Sequence, residues 1–106
     1  MKIAAWNLGR FAHCKSRNDI DEIYSIIKKL DADIIVLTEL PALFEFPANY
    51  FAIKSTELSG FYEFANYKQG ECRVCIYPKN PVKKIIPTYD WSSAICIQTE
   101  IENKLI

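Results

Sequence analysis

The chain is short of the residues from which several familiar sites are built. It has three glycines, and only Gly9 lies in the loop after the first apolar stretch. Neither G-x-G-x-x-G nor G-x-x-x-x-G-K-[ST] occurs, so the dinucleotide-binding and P-loop readings lose their main support. Histidine occurs once, as His13 beside Cys14, with nothing evident to orient it as the base of a nucleophile pair. Charge of one sign is also missing: 13 Lys+Arg balance 13 Asp+Glu. No global field therefore draws the chain toward nucleic acid or an anionic membrane, and a phosphate group would have to be held by local side chains or a metal. Long apolar runs are absent. The stretch after Lys2 ends at Trp6, too short for a signal peptide. Nothing approaches the ~18 apolar residues of a membrane span.

Four cysteines stand at positions 14, 72, 75 and 96. With no secretory signal, they read as reduced thiols in a cytoplasmic protein. Cys72-x-x-Cys75 invites a zinc site, but residues three apart on a strand point to opposite faces. Two further ligands would also be needed.

What is present is globular. Half of the 106 residues are hydrophobic and a quarter charged, which suits one small domain rather than a disordered segment. A chain of this length buries roughly 60–70% of its unfolded surface on folding.

The organising stretch is Asp33-Ile34-Ile35-Val36-Leu37-Thr38-Glu39. A short Ile/Val-rich run reads as a strand covered on both faces, and it delivers the carboxylate of Glu39 to its carboxyl end. Lys2-Ile3-Ala4-Ala5-Trp6 is a second apolar strand, followed by Asn7. Between them Ile20, Ile23, Tyr24, Ile27 and Leu30 recur at helical intervals. The helix is expected to start near Asn18 or Asp19, with Asp19 and Glu22 at capping-box spacing. Asp21 and Glu22 near its start and Lys28 and Lys29 near its end suit the macrodipole. A β-α-β unit makes its strands parallel. If they are neighbours, Asn7 and Glu39 face one cleft at the edge where ligands gather in open α/β sheets.

Beyond Glu39, Pro41 and Pro47 argue against a regular element. Tyr50–Lys54 is a short strand candidate, and Phe61–Tyr67 another. Cys72–Tyr77 reads as a strand, and Pro78-Lys79-Asn80-Pro81 as turn chemistry. Lys83–Thr88 reads as an edge strand, with Pro87 consistent with an edge. Ser93–Ile101 is a longer strand with Ile95, Ile97 and Ile101 on one face, and Lys104-Leu105-Ile106 opens one more. Short runs separated by turns suggest an antiparallel meander. The fold class is α/β (α+β).

Three stretches together resemble the endonuclease/exonuclease/phosphatase superfamily, the group of exonuclease III, DNase I, sphingomyelinases and inositol phosphatases. Lys2-Ile3-Ala4-Ala5-Trp6-Asn7-Leu8 is similar to its opening strand. Asp33–Glu39 is similar to the strand that hands a glutamate to a divalent metal. Arg73–Val82 is similar to the strand that runs into a lysine-x-proline turn. The resemblance implies a four-layer α/β sandwich, of which residues 1–106 form the amino-terminal part of a single domain truncated at its carboxyl end. It also implies metal-dependent hydrolysis of phosphodiester or phosphomonoester bonds, with nucleic acid among the substrates. Mg²⁺ or Mn²⁺ would be held by Glu39, and Asn7 would be the polar partner of metal or phosphate; these are the implied catalytic residues. Such an ion takes oxygen ligands, often one or two carboxylates completed by water and phosphate.

The chain departs from the pattern in two places. It contains no Gly-Asp-x-Asn and no Asp-His pair, so the implied general base is missing and these residues alone are expected not to turn over substrate. A non-catalytic module that binds a partner or a missing half is the competing class. Half a sandwich also exposes apolar sheet surface, which predicts self-association through an exposed sheet face. Taken singly, the residues have ordinary readings. Glu39 is then a solvated strand-end carboxylate, Asn7 a turn former and Arg10 a surface cation. Phe44 and Phe46 are core cover as readily as groove lining. Trp6 and Trp91 are packing residues, and Lys83-Lys84 is a solvated edge device.

Overall fold

The computed structural model describes residues 1–9, 16–42, 44–45, 49–56 and 70–106. Chain order gives β1 (Ile3–Asn7), α1 (Arg17–Leu30), β2 (Ile34–Leu40) and β3 (Ile53–Lys54). These are followed by β4 (Cys72–Pro78), β5 (Val82–Ile86), β6 (Cys96–Ile101) and β7 (Lys104–Leu105). The first sheet has the order β1-β2-β4-β3 and the second β5-β6-β7. The fold is α+β, as the sequence indicates. Among the described residues no helix is long and apolar enough to cross a membrane.

β2 is central because its sequence allows it. Ile34, Ile35 and Leu37 are buried, and a β-branched run satisfies both faces of an inner strand. β1 lies parallel to it, with Ile3 opposite Ile34 and Asn7 opposite Thr38, as the β-α-β reading requires. β4 lies antiparallel on its other side, from Ile34↔Pro78 to Leu40↔Cys72. β4 therefore belongs to the first sheet, and the meander proper is β5-β6-β7.

The helix begins earlier than the capping-box spacing suggests. Ser16, not Asp19, is the N-cap: its hydroxyl accepts the Asp19 N–H at 3.3 Å, and the Asp19 carboxylate accepts the Ser16 N–H at 3.1 Å. A Ser…Asp box closes as well as the usual Ser…Glu one, because either carboxylate can reach back to the cap N–H. The helix ends at Asp31, whose left-handed φ of 46° returns its N–H to the Ile27 carbonyl. Ile20, Ile23 and Ile27 are buried against Leu8, Ile35, Leu37, Leu40, Phe44, Cys72, Cys75 and Tyr77. Leu30, expected on that stripe, is 40% exposed. Phe44 is core cover, stacked in a tilted pair with Tyr24 at 5.0 Å between ring centroids.

Several boundaries move. Only Ile53–Lys54 of Tyr50–Lys54 pairs as a strand, and the Tyr50 hydroxyl instead donates to the Ala32 carbonyl at 2.8 Å. Pro87 lies beyond β5, and β6 starts at Cys96 rather than Ser93. By strand alternation Ile97, Thr99 and Ile101 share a face. Cys72 and Cys75 do not sit on opposite faces, since both belong to one core cluster. Strict alternation fails between them because regular pairing with β2 lapses one residue after Cys72. The Phe61–Tyr67 strand candidate lies outside the described residues, as do Arg10, His13, Cys14 and Phe46.

Candidate functional site

Asn7 and Glu39 arrive at one rim by different local means. Asn7 ends β1, and the Leu8 N–H donates to the Thr38 carbonyl at 2.9 Å, holding the strand ends in register. The Asn7 Oδ1 accepts the Gly9 N–H at 2.8 Å. Gly9 has φ 66°, a conformation that suits glycine. The ordinary reading of Asn7 as a turn former is thus correct for its oxygen. Its Nδ2 amide remains uncommitted among the described residues, so Asn7 is better fitted to donate to a phosphate oxygen than to ligate a metal.

Glu39 stands one position beyond the partner of Asn7, near the end of β2, and is half-buried. Its φ is 53°. A left-handed non-glycine residue costs about 1–2 kcal/mol and persists only where its surroundings hold it. Here the β2–β4 ladder passes from Thr38↔Val74 to Leu40↔Cys72 and skips the Glu39–Arg73 pair between them. The irregularity at the strand end changes the direction of Glu39 while Leu40 stays buried. No periodicity argument on the sequence could have announced it.

The same rim carries residues that the sequence reading did not assign to a site. Arg73 stands across from Glu39 at the skipped position, and its Nη1 donates to the Ser93 hydroxyl at 2.7 Å. Ser93 lies 3.5 Å from the Ser92 hydroxyl, which donates to Asp90 Oδ1 at 2.6 Å. These bonds, the Ser92 hydroxyl first and then Ser93, hold the Asp90 carboxyl below the usual carboxylate range. Glu71 immediately precedes β4 and is buried at 2% exposure, with a partner of its own. Both residues were hidden because antiparallel pairing of β4 with β2, which brings positions 71–73 to this end, is a long-range fact.

A cavity of about 420 Å³ lies beside Asn7, lined by Trp6, Asn7, Leu8, Asp19, Glu22, Ile23 and Ile26. Its charges are acidic and it does not include Glu39. A phosphate would be repelled there. The chemistry implied for Glu39 therefore belongs to the rim itself and not to this recess.

The donor set fits a divalent cation only in part. Glu39 offers hard carboxylate oxygens of the kind Mg²⁺ takes. Among the described residues no three His, Cys, Asp or Glu side chains converge as a metal group. The thiols of Cys72 and Cys75 are no substitute, since both are buried in the core cluster. Burial pushes the Cys75 thiol up to about 12, which suits an inert core residue rather than a thiolate ligand. No protein-family model and no curated protein matches the chain.

Proposed function

We propose that the chain is the amino-terminal part of a metal-dependent phosphoesterase or nuclease domain of the endonuclease/exonuclease/phosphatase type, and that these residues alone bind weakly and do not turn over substrate. One observation carries the reading. The amide of Asn7 and the carboxylate of Glu39 stand at the carboxyl ends of neighbouring parallel strands, one register position apart. Glu39 would hold the cation through its carboxylate, the hard oxygen donor that such an ion takes. A divalent ion held there, Mg²⁺ or Mn²⁺, would supply Lewis-acid chemistry to a phosphoryl group. Asn7 orients the phosphate through Nδ2, because its oxygen is held by the Gly9 N–H. Arg73, across from Glu39 in register, adds a cation on the same rim. The partner is a phosphate ester, with nucleic acid in the class. Apolar sheet surface left uncovered would also support self-association.

The absence of a general base supports the inactive half of the proposal: Gly-Asp-x-Asn and Asp-His do not occur in these 106 residues. The same absence favours a second reading, a non-catalytic binding module of the same ancestry. Titration with Mg²⁺ or Mn²⁺, followed by amide chemical shifts, tests the site. The expected result is a weak, saturable shift centred on Glu39 that Glu39→Gln removes, with no hydrolysis of a generic phosphodiester. No shift at Glu39, or one that survives Glu39→Gln, overturns the metal assignment. Clear Glu39-dependent turnover overturns the claim of inactivity.

A further inference from the structure

We propose that two copies of the chain join through the open edge of β1, pairing it antiparallel to itself about a two-fold axis at Ala5. The inference deepens the self-association named above and rests on that expectation alone, not on the phosphoester chemistry. It replaces an exposed sheet face with a sheet edge.

β1 has β2 on one side and no described strand on the other. The Leu8 N–H donates to Thr38, and the Lys2 carbonyl accepts from Asp33 and Ile34. Even-numbered residues thus turn their backbone groups toward β2. The N–H and C=O groups of Ile3, Ala5 and Asn7 consequently point away from it. Such a row is a template for another strand, and natural edges are usually blunted by proline, bulges or charge. Ile3–Asn7 has no proline and no charged side chain, and Ile3 is 53% exposed.

The register follows from the sequence. Centring the pair on Ala5 sets Ile3 opposite Asn7 and Ala5 opposite itself, so that all the outward groups exchange N–H···O bonds. It also sets Trp6 opposite Ala4 of the second copy, in the closer, non-hydrogen-bonded type of pair. A large side chain then meets a small one, twice by symmetry. Room exists for it. A groove of about 240 Å³ runs along this edge, lined among others by Ala4, Ala5, Trp6, Ile26 and Leu30. That is smaller than the ~300–1,000 Å³ of typical small-molecule sites and is nearly all apolar. Trp6, Ile26 and Leu30 are 36%, 46% and 40% exposed there, and the second copy's Trp6 would cover them.

Charge fixes the occupant as a second copy. On the side of α1 that borders this groove, Glu22 lies one turn before Ile26 and Lys29 one turn after it. Glu22 and Lys29 share a stripe, being seven residues apart, and both are exposed. A two-fold axis reverses the helix, bringing Glu22 of each copy toward Lys29 of the other. The surface is complementary to its own image, as an isologous interface requires.

Sedimentation across a concentration series tests the proposal, with circular dichroism confirming that each variant is folded. The expected species is a dimer of the 12.2 kDa chain. Ala5→Pro removes an outward N–H, which an edge strand tolerates, and should return the protein to monomer. Glu22→Lys and Lys29→Glu should each raise the dimer dissociation constant about tenfold, two weakened pairs per dimer, and the double reversal should restore it. A wild-type monomer throughout overturns both the edge pairing and the self-association reading. A dimer indifferent to Ala5→Pro, or to the single reversals, overturns the edge pairing alone. Neither result bears on metal binding at Glu39, which is read separately by the shift titration.

Discussion

Glu39, the residue proposed to hold the cation, is one that the backbone holds at a cost. Its φ of 53° is one that glycine adopts freely and a glutamate does not. Glu39→Gly should therefore raise the unfolding free energy by roughly 0.5–1 kcal/mol, the left-handed penalty less the added chain entropy of glycine. Denaturant unfolding measures it. A clear loss of stability would mean that the carboxylate itself holds the β2 terminus. The same variant should lose the metal-dependent shift, so that stability and binding move in opposite directions. The two residues of the proposed site were legible in the sequence as types at strand ends. The left-handed turn at Glu39 and the engagement of the Asn7 oxygen were not, because each depends on how the neighbouring chain passes. Arg73 and Glu71 were missed because only the pairing of β4 brings them to this end.

At the scale of elements, the β-α-β unit was the most readable part. Its signals are local: a β-branched run, an Ile stripe at helical spacing and charges that match the macrodipole. Ile20, Ile23 and Ile27 are buried, as the period demands. The helix starts one to two residues earlier than expected because two overlapping boxes compete, and Ser16-Asp19 closes rather than Asp19-Glu22. Replacing the cap tests which one holds the helix. Ser16→Ala should cost about 1 kcal/mol in unfolding free energy. A neutral result would show that the earlier turn contributes nothing to stability. Later strands were legible as strands but not as partners. β4 looks like the first of a meander and is in fact the antiparallel neighbour of β2. Its Cys75 and Tyr77 are fully buried, which a solvated meander strand would not provide.

For the whole molecule, the core and the turn clamps predict how stability responds to pH. The Asp31 carboxylate accepts from Lys79 Nζ at 2.5 Å, tying the α1–β2 turn to the turn after β4. Lys79 holds the Asp31 carboxyl below its ordinary value, and Asp31 raises the Lys79 ammonium. The contribution of the pair is lost as pH falls through the depressed carboxyl value or rises through the raised ammonium value. On the alkaline side a buried group contributes as well. Desolvation lifts the Cys75 thiol from 9.0 to about 12, so the folded state keeps a proton that the unfolded state releases. Its stabilisation is complete below pH 9.0 and is lost as pH rises toward about 12, at about 1.4 kcal/mol per pH unit. Urea unfolding over that range should show the slope, and Cys75→Ala should flatten it. An unchanged slope in the variant would assign the alkaline loss to other groups. Desolvation also raises Tyr77, which sits in the same core.

The sequence by itself determined that this is an α+β protein with a parallel β-α-β start, a central strand, and an amide and a carboxylate delivered to strand ends. Those follow from periodicity and charge placement, which act within a few residues. Tertiary structure alone decided that β4 closes against β2, that the ladder skips Glu39 and Arg73, and that no described strand covers the outer edge of β1. Each of these depends on pairing between segments far apart in the chain, where hydrogen-bond register and burial are shared and no single stretch carries the information.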